Sequence, residues 1–224
     1  MAKHLDLEEQ EQLDSIKHFW ARWGNLITWA LIVVLGAYAA WTGWQYWERR
    51  QGALAAVMYD EINRNVQAGD VKRVERTLAD MKDKYGSTTY AAQGALLAAK
   101  MLYEKSKPAE AKAALGWVAD KASDEGLQAS ARLRLAGLLM ADKAYDEALK
   151  QLSASFPASY APLAADRRGD VLVLQGKRTE AATEYGKAYQ GLTAESGDYR
   201  RLVGMKLNAL GIDPDAGTKS GAVS

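Results

Sequence analysis

The sequence predicts an all-α protein in which a single N-terminal transmembrane helix is followed by a solenoid of helix pairs. Three observations lead to this fold class. Six of the seven tryptophans fall within residues 20–47, around an uninterrupted run without charge. Leu, Ala, Lys, Glu and Gln are abundant while Phe occurs twice and Pro four times, a composition that favours helix. Beyond residue 70, similar eight-residue blocks recur at regular intervals.

Composition also narrows the classes of function. The 29 basic and 28 acidic residues nearly balance, which gives no reason to expect binding to nucleic acid. The absence of Cys excludes disulfides, thiolate metal sites and cysteine nucleophiles. The only histidines, His4 and His18, precede the apolar run. Because the phosphate-loop, zinc-protease and nucleophile-elbow motifs are all missing, we expect no enzymatic activity, no bound metal and no cofactor.

Residues 23–47 carry no charge and lie between Arg22 and Glu48. A helix that crosses the hydrocarbon core needs about 20 mostly apolar residues, so this run is long enough to span the lipid bilayer. Aromatic rings with a polar group prefer the headgroup level, and such residues mark both ends of the run. The predicted membrane-interface residues are Trp20, Trp23, Trp41, Trp44, Tyr46 and Trp47.

A buried core helix and a cleavable signal peptide are the alternatives for this run. Few soluble helices contain such a long uncharged stretch. The small residues of "AYA" at 37–39 resemble a cleavage site, but residues 1–22 are long and carry five acidic against three basic side chains. We therefore expect a retained anchor. Basic residues are equally frequent on its two sides, so charge counting does not orient it.

Small residues recur on one side of the predicted span. Gly36, Ala40 and Gly43 are separated by four and three positions, so they share a helix face. Such a face lets another membrane helix approach closely, and we expect it to be a helix-packing surface.

The recurring blocks lie at 71–78, 108–115, 145–152 and 178–185, for example "PAEAKAAL" and "YDEALKQL". Each follows a short turn, and each turn follows another apolar helix, so the frame is a helix pair repeated four times. This pattern resembles the tetratricopeptide repeat. Its small positions match Ala99, Ala136 and Gly169 in the first helices and Ala111, Ala148 and Ala181 in the second, with Leu115, Leu152 and Tyr185 as the bulky residues that follow. In the first repeat, Ile62 and Val74 stand where small residues are expected.

Four segments follow from this organisation. We expect an acidic N-terminal segment at 1–22, a transmembrane helix at 23–47, a repeat domain at 48–210 and a disordered tail at 211–224. A helix at 198–210 is expected to cap the stack, with Leu202, Met205 and Leu210 facing inward and Arg200, Arg201 and Lys206 facing water.

The N-terminal region and the overall order resemble the YfgM-like family of ancillary SecYEG translocon subunits. Ile16, Lys17, Phe19, Trp20 and Gly24 match one motif, and Gly43, Trp44, Tyr46 and Trp47 match a second, "GWxYW". The resemblance implies a single-pass protein of the bacterial cell inner membrane, with a cytoplasmic N-terminus and periplasmic repeats. It also implies association with SecYEG and with a membrane-anchored periplasmic chaperone of the prolyl-isomerase type, and a role in receiving secreted or outer-membrane chains.

Matching the first helices to the tetratricopeptide pattern turns certain side chains toward the concave face. The candidate partner-binding residues are Lys100, Tyr103, Leu133, Met140, Asp166 and Asp170. Ordinary packing or solvent exposure is the alternative for each of them, and an acid/base pair is a further alternative for the two aspartates. The function expected first is a non-enzymatic translocon adaptor. A generic membrane-tethered scaffold in envelope assembly or stress signalling is the second hypothesis, and a membrane-bound enzyme the third.

Overall fold

The computed structural model of the protein describes residues 7–193 and 196–214, with side chains from residue 12 onward. These residues form two compact units that are divided between Gln51 and Gly52. Helix α1 (Leu7–Gln67) begins in the first unit and ends in the second. Its backbone passes without a break through the segment boundaries expected at 22/23 and 47/48. Of the expected tail, residues 215–224 lie outside the described part of the chain.

The second unit is built from helix pairs, which confirms the predicted fold class. The end of α1 and α2 (Val71–Tyr85) form the first pair, joined by the hydrogen bond that the Thr77 hydroxyl donates to Glu61 Oε1. The other pairs are α3 (Thr89–Glu104) with α4 (Pro108–Lys121), α5 (Glu125–Ala141) with α6 (Tyr145–Leu152), and α7 (Ala161–Leu174) with α8 (Arg178–Gly191), followed by α9 (Gly197–Ala209). From α2 onward each helix contacts the next, and α3 and α7 also contact α5. This nearest-neighbour arrangement is that of a solenoid.

The same three-residue turn closes the first helix of each of these pairs. Its middle residue has a positive φ, at Gly69 (70°), Ser106 (59°), Lys143 (61°) and Gly176 (78°). The third residue donates its N–H to the carbonyl five positions back, as Asp70 does to Asn65. This is the Schellman motif, which satisfies carbonyls that the helix end leaves free. Glycine accepts the left-handed conformation readily. At Ser106 and Lys143 the left-handed conformation costs about 1 kcal/mol each, because these residues carry a Cβ atom.

A buried residue seven positions before each left-handed turn lets the helices of a pair approach closely. Ala99, Ala136 and Gly169 occupy this position, as the sequence pattern predicts, and all three are buried. In the first pair the larger Ile62 is accommodated because α3 has Gly94 nearby. A Cβ atom on Gly94 would lie 3.1 Å from Ile62 Cδ1 and would crowd it.

In the fourth pair the small residue is on the first helix and the large residue is on the second. The position that holds Leu115 in α4 and Leu152 in α6 holds Tyr185 in α8, and the first helix has glycine instead of alanine. A Cβ atom on Gly169 would lie 2.4 Å from Tyr185 Cε1, so an alanine does not fit without movement of the ring. Glycine at 169 is therefore the consequence of tyrosine at 185.

Polar contacts join the second helix of one pair to the end of the next first helix. Lys107 Nζ donates to Glu75 Oε1 at 2.7 Å, and Lys112 Nζ donates to Asp142 Oδ2 at 2.6 Å. Gln175 Nε2 donates to Asp146 Oδ1 at 3.0 Å, and Arg178 Nη2 donates to the Ala209 carbonyl at 3.2 Å. Exposed contacts of this kind contribute about 0–1 kcal/mol each, so their value lies mainly in fixing the register of the stack.

Helix α9 has the features of a first helix. Gly204 lies seven positions before Gly211, whose φ is 85°, and Ile212 donates its N–H to the Leu207 carbonyl five positions back. A Cβ atom on Gly204 would lie 3.3 Å from Tyr189 Cε2 of α8. The helix expected at 198–210 thus has the geometry of a first helix, and its role as the cap of the stack stays a prediction.

The packing face predicted for this last helix is wrong in part. Val203, Gly204 and Leu207 are buried, whereas Leu202 and Met205 are 42% and 57% exposed. Leu210 is half-buried, as predicted. The face is set by the position of Gly204 against α8, and that position follows from the left-handed turn.

Because Gly169 packs against Tyr185, we expect two glycine-to-alanine substitutions to change the stability of the repeat unit in opposite directions. Gly169→Ala is expected to destabilise the repeat unit by about 2 kcal/mol, the usual cost of overpacking a core. Gly186→Ala is the control, because a Cβ atom there meets nothing within 4 Å. It is expected to stabilise α8 by up to about 1 kcal/mol. Thermal unfolding of the full chain in detergent, followed by circular dichroism, measures both, and equal effects would contradict the packing account.

Candidate functional site

Two of the candidate partner-binding residues lie together beside an open groove. Lys100 and Tyr103 of α3 line it, and α4 and α5 supply its other walls. Its volume is about 410 Å³, within the range of pockets that bind small ligands or side chains. We call this feature the α3–α5 groove.

The lining of the α3–α5 groove is mainly apolar. Leu96 and Ala99 of α3, Leu115 of α4 and Leu138 of α5 contribute to it. Gly137 also lines the groove, and a Cβ atom built on it meets nothing within 4 Å. Absence of a side chain at 137 therefore keeps space open. Tyr103 is 47% exposed and offers an aromatic ring beside that space.

Positive charge is in excess at the groove. Lys100 is paired with Glu104 one turn along α3, but the distance of 3.9 Å is long and both side chains are well exposed. Arg134 of α5 is exposed, and no carboxylate within the described part of the chain forms an ion pair with it. Glu104 also lines the groove, which therefore combines an apolar lining with two basic side chains and one carboxylate, an excess of one positive charge.

Leu133 and Met140, the next two candidates, have a different environment. Both lie on α5, are partly buried, and pack against the larger core cluster of the repeat unit. Neither lines the α3–α5 groove. Their observed contacts are packing contacts, the alternative that the sequence left open.

The last two candidates, Asp166 and Asp170, belong to a polar network that joins α7 to α9. Lys206 Nζ donates to Asp166 Oδ1 at 2.7 Å and to Asp170 Oδ1 at 2.6 Å. The Tyr199 hydroxyl donates to Asp166 Oδ2 at 2.6 Å, and the Tyr185 hydroxyl donates to Asp170 Oδ1 at 2.8 Å. Asp166 is only 2% exposed and its observed contacts are all internal, so its predicted contact with a partner stays a prediction.

The tyrosines of this network remain protonated at neutral pH. Burial, and then the hydrogen bond to Asp170, raises the pKa of Tyr185 above its usual value. Burial and the hydrogen bond to Asp166 raise the pKa of Tyr199 in the same way. Both hydroxyls therefore serve as hydrogen-bond donors, and the two carboxylates are occupied by them and by Lys206.

The network corrects the polar face predicted for the last helix. Lys206 was expected to face water, but its ammonium group points to α7 and lies 5.2 Å from the centre of the Tyr185 ring. Arg200 was also expected to be solvated, and its guanidinium lies 4.3 Å from the centre of the Tyr189 ring. Arg201 is exposed as expected and pairs with Asp198.

The groove and the network occupy equivalent places in different repeats, with the α5–α7 contact between them. Counted back from the left-handed turns, Lys206 corresponds to Leu138, while Asp166 and Asp170 correspond to Leu96 and Lys100. Ion pairs thus fill the space between α7 and α9, whereas the equivalent space between α3 and α5 is an apolar groove. Leu138, Gly137 and Arg134 were missed by the sequence analysis, although counting from the turns identifies them.

The aromatic residues of α1 are exposed in the first unit. All six predicted membrane-interface residues, Trp20, Trp23, Trp41, Trp44, Tyr46 and Trp47, are exposed, and none of the 18-residue apolar window is buried. Trp20 lies over Gly24, where a Cβ atom would come within 3.0 Å of the indole. By length and composition α1 is the one described helix able to cross a membrane.

The small residues of α1 leave one of its faces open. A Cβ atom on Gly36 or Gly43 meets nothing within 4 Å, and Ala40 is exposed between them. The Thr42 hydroxyl donates to the Tyr38 carbonyl at 2.7 Å, so it needs no partner from lipid. This surface has the form expected of a helix-packing face, and its role stays a prediction.

Comparison with known proteins agrees with the helix pairs. The tetratricopeptide repeat-like domain family matches residues 17–212. A protein of Neisseria gonorrhoeae described as an ancillary SecYEG translocon subunit is 32% identical over 94% of this chain and all of its own length. The chain belongs to the ancillary SecYEG translocon subunit family.

Two other family members with the same description are similar over most of their length. The Haemophilus influenzae protein is 28% identical over 91% of this chain and 98% of its own. The Escherichia coli protein is 28% identical over 91% of this chain and 97% of its own. No solved structure matches the chain. The sequence-based recognition of the family is confirmed.

Because the groove and the network occupy equivalent positions, we expect substitutions at Lys206 and Asp166 to have non-additive effects on the free energy of unfolding. Lys206→Leu alone is expected to cost about 3 kcal/mol, because it leaves the carboxylate of Asp166 buried and without its cation. Asp166→Leu alone leaves Lys206 a second partner, Asp170, so we expect a loss nearer 2 kcal/mol. The double substitution reproduces the Leu96 and Leu138 pair and is expected to recover most of that loss. Chemical unfolding gives all the values, and additive losses would contradict this equivalence.

Proposed function

We propose that this chain is an ancillary subunit of a SecYEG translocon, held in the bacterial inner membrane by α1. The observation that carries the proposal is full-length similarity to proteins described by that name, over 94% of this chain in the Neisseria case. An exposed apolar window in α1 and a separate repeat unit are consistent with it.

The mechanism we propose is non-enzymatic and depends on tethering. A repeat unit attached to a membrane helix stays within reach of that helix's partners, so its effective concentration near the translocon is high. Stacked helix pairs offer long grooves for other polypeptides. In this proposal α1 contributes the contact with the channel, and the repeat unit, residues 48–210, receives emerging secreted or outer-membrane chains.

We extend the proposal to a periplasmic partner and an orientation. The family resemblance suggests a membrane-anchored chaperone of the prolyl-isomerase type as the second partner of the repeats. It also suggests that residues 1–22 are cytoplasmic and that the repeats are periplasmic. An encounter between the repeats and either a chaperone or a secreted chain requires this orientation.

The absence of cysteine makes the orientation directly measurable. Ser15→Cys and Ser123→Cys each introduce a single thiol at an exposed position, one before the span and one in the repeats. In intact spheroplasts, a membrane-impermeant maleimide is expected to label the thiol at 123 and to leave the thiol at 15 unmodified. After lysis both are expected to react, which controls for burial. The reverse labelling pattern would contradict the proposed orientation.

Chemical crosslinking in intact membranes, followed by purification of the chain, tests the translocon contact. The native chain is expected to recover SecYEG and a periplasmic chaperone. A chain whose residues 24–47 are replaced by an unrelated span is expected to lose SecYEG. If the native chain recovers neither partner, the proposed function is wrong; if the replaced span still recovers SecYEG, the repeats make that contact.

A finer variant isolates the small-residue face. Gly36→Leu with Gly43→Leu fills both open positions and is expected to lower SecYEG recovery several-fold, because close helix approach is blocked. The matched control is Ala30→Leu with Ala37→Leu, which adds apolar bulk at exposed positions on a different side of α1. Equal recovery from both variants would contradict a specific packing face.

A further inference from the structure

We propose that the α3–α5 groove binds extended polypeptide segments in which a large apolar side chain stands next to a carboxylate. The source of such segments, a chain emerging from a translocon, rests on the proposed function. The binding chemistry rests on the groove alone, which lies entirely within the repeat unit.

The apolar half of this specificity comes from the lining. Leu96, Leu115 and Leu138 meet in a space of about 410 Å³ that Gly137 leaves unfilled. Water in this groove forms few hydrogen bonds because the lining is apolar. Its displacement by an aliphatic or aromatic side chain is therefore favourable. Tyr103 provides an exposed ring that contacts such a side chain at low entropic cost.

The acidic half comes from uncompensated positive charge. Arg134 has no ion-pair partner among the side chains that the structure describes, and Lys100 has only the distant Glu104. At the equivalent α7–α9 contact the carboxylates belong to the chain itself, because Asp166 and Asp170 form ion pairs with Lys206. The α3–α5 groove has one carboxylate, Glu104, for two basic side chains, Lys100 and Arg134, so a ligand carboxylate is expected to pair with Arg134.

The size of the groove favours an extended segment over a helix. A helix with its side chains is about 10 Å across and needs a broad trough. A space of 410 Å³ receives one or two large side chains from a strand-like segment, whose alternate side chains point away to solvent. Such limited contact predicts weak binding, which suits a transient interaction with a moving chain.

The test uses the full chain in lipid nanodiscs and a fluorescent peptide of sequence GSLFELSGS, amidated at its C-terminus. Matched peptides carry Q or K in place of E. Fluorescence anisotropy is expected to give the order E over Q over K, with about fivefold between E and Q, as for a partly solvated ion pair. Equal affinity for the three peptides would overturn the acidic half of the proposal.

Two pairs of variants locate the binding. Arg134→Gln is expected to reduce binding of the acidic peptide to the level of the neutral one, while Arg76→Gln, which removes an exposed arginine of α2, leaves it unchanged. Gly137→Leu fills the groove and is expected to abolish binding of all three peptides. Gly186→Leu is its control, because a Cβ atom there also meets nothing within 4 Å. Unchanged binding to the Gly137→Leu chain would overturn the proposed site.

The outcomes separate this proposal from the translocon function. If SecYEG is recovered in membranes but the peptides do not bind, the groove proposal is wrong and the proposed function stands. If the peptides bind as described but SecYEG is never recovered, the function is wrong and the groove stands. Thermal unfolding of each variant verifies that loss of binding is not loss of fold.

Discussion

The repeat unit depends on how closely the two helices of each pair approach. A Schellman turn with one left-handed residue fixes where the first helix ends, and the residue seven positions earlier meets the second helix. Ile62, Ala99, Ala136 and Gly169 fill that position in the four pairs. Tyr185 of the same pair occupies the space that Gly169 leaves, and Gly94 of the neighbouring pair makes room for Ile62. Because a solenoid gains stability only from its neighbours, this local contact sets the spacing of the whole stack.

The stack was largely predictable because its signals are local and repeated. Small residues at fixed distances predicted the helix pairs, and an uncharged run with tryptophans at both ends predicted the long apolar helix that is seen as α1. The face of α9 was not predictable in the same way. Leu202 and Met205 are apolar but exposed, while Lys206 is charged but turned inward, because Asp166 and Asp170 on a helix far back in sequence neutralise it. Hydrophobic periodicity assigns a face from one helix, and a long-range ion pair overrides it.

The candidate site was predicted only in part for a related reason. Lys100 and Tyr103 both line one groove, and their contact with a partner stays a prediction. The space beside them is left open by Gly137, which has no side chain and therefore gives no signal in the sequence. No carboxylate among the described residues pairs with Arg134, and a sequence alone does not show ion pairs. Equivalent positions in different repeats of this chain thus have different environments. At the α7–α9 contact they form ion pairs, and at the α3–α5 contact they line an apolar groove with an excess of positive charge.

The central claim is that the two units contact different partners, the membrane helix a translocon and the repeat groove a chain in transit. Site-specific photocrosslinking tests it most directly, with benzoylphenylalanine replacing an aromatic residue beside each contact, Trp47 in one version of the chain and Tyr103 in another, so that neither Gly43 nor Gly137 is filled. In cells in which secretion is slowed, the account predicts adducts with SecYEG from position 47 and with secreted proteins from position 103. Translocon adducts from position 103 together with none from position 47 would contradict it.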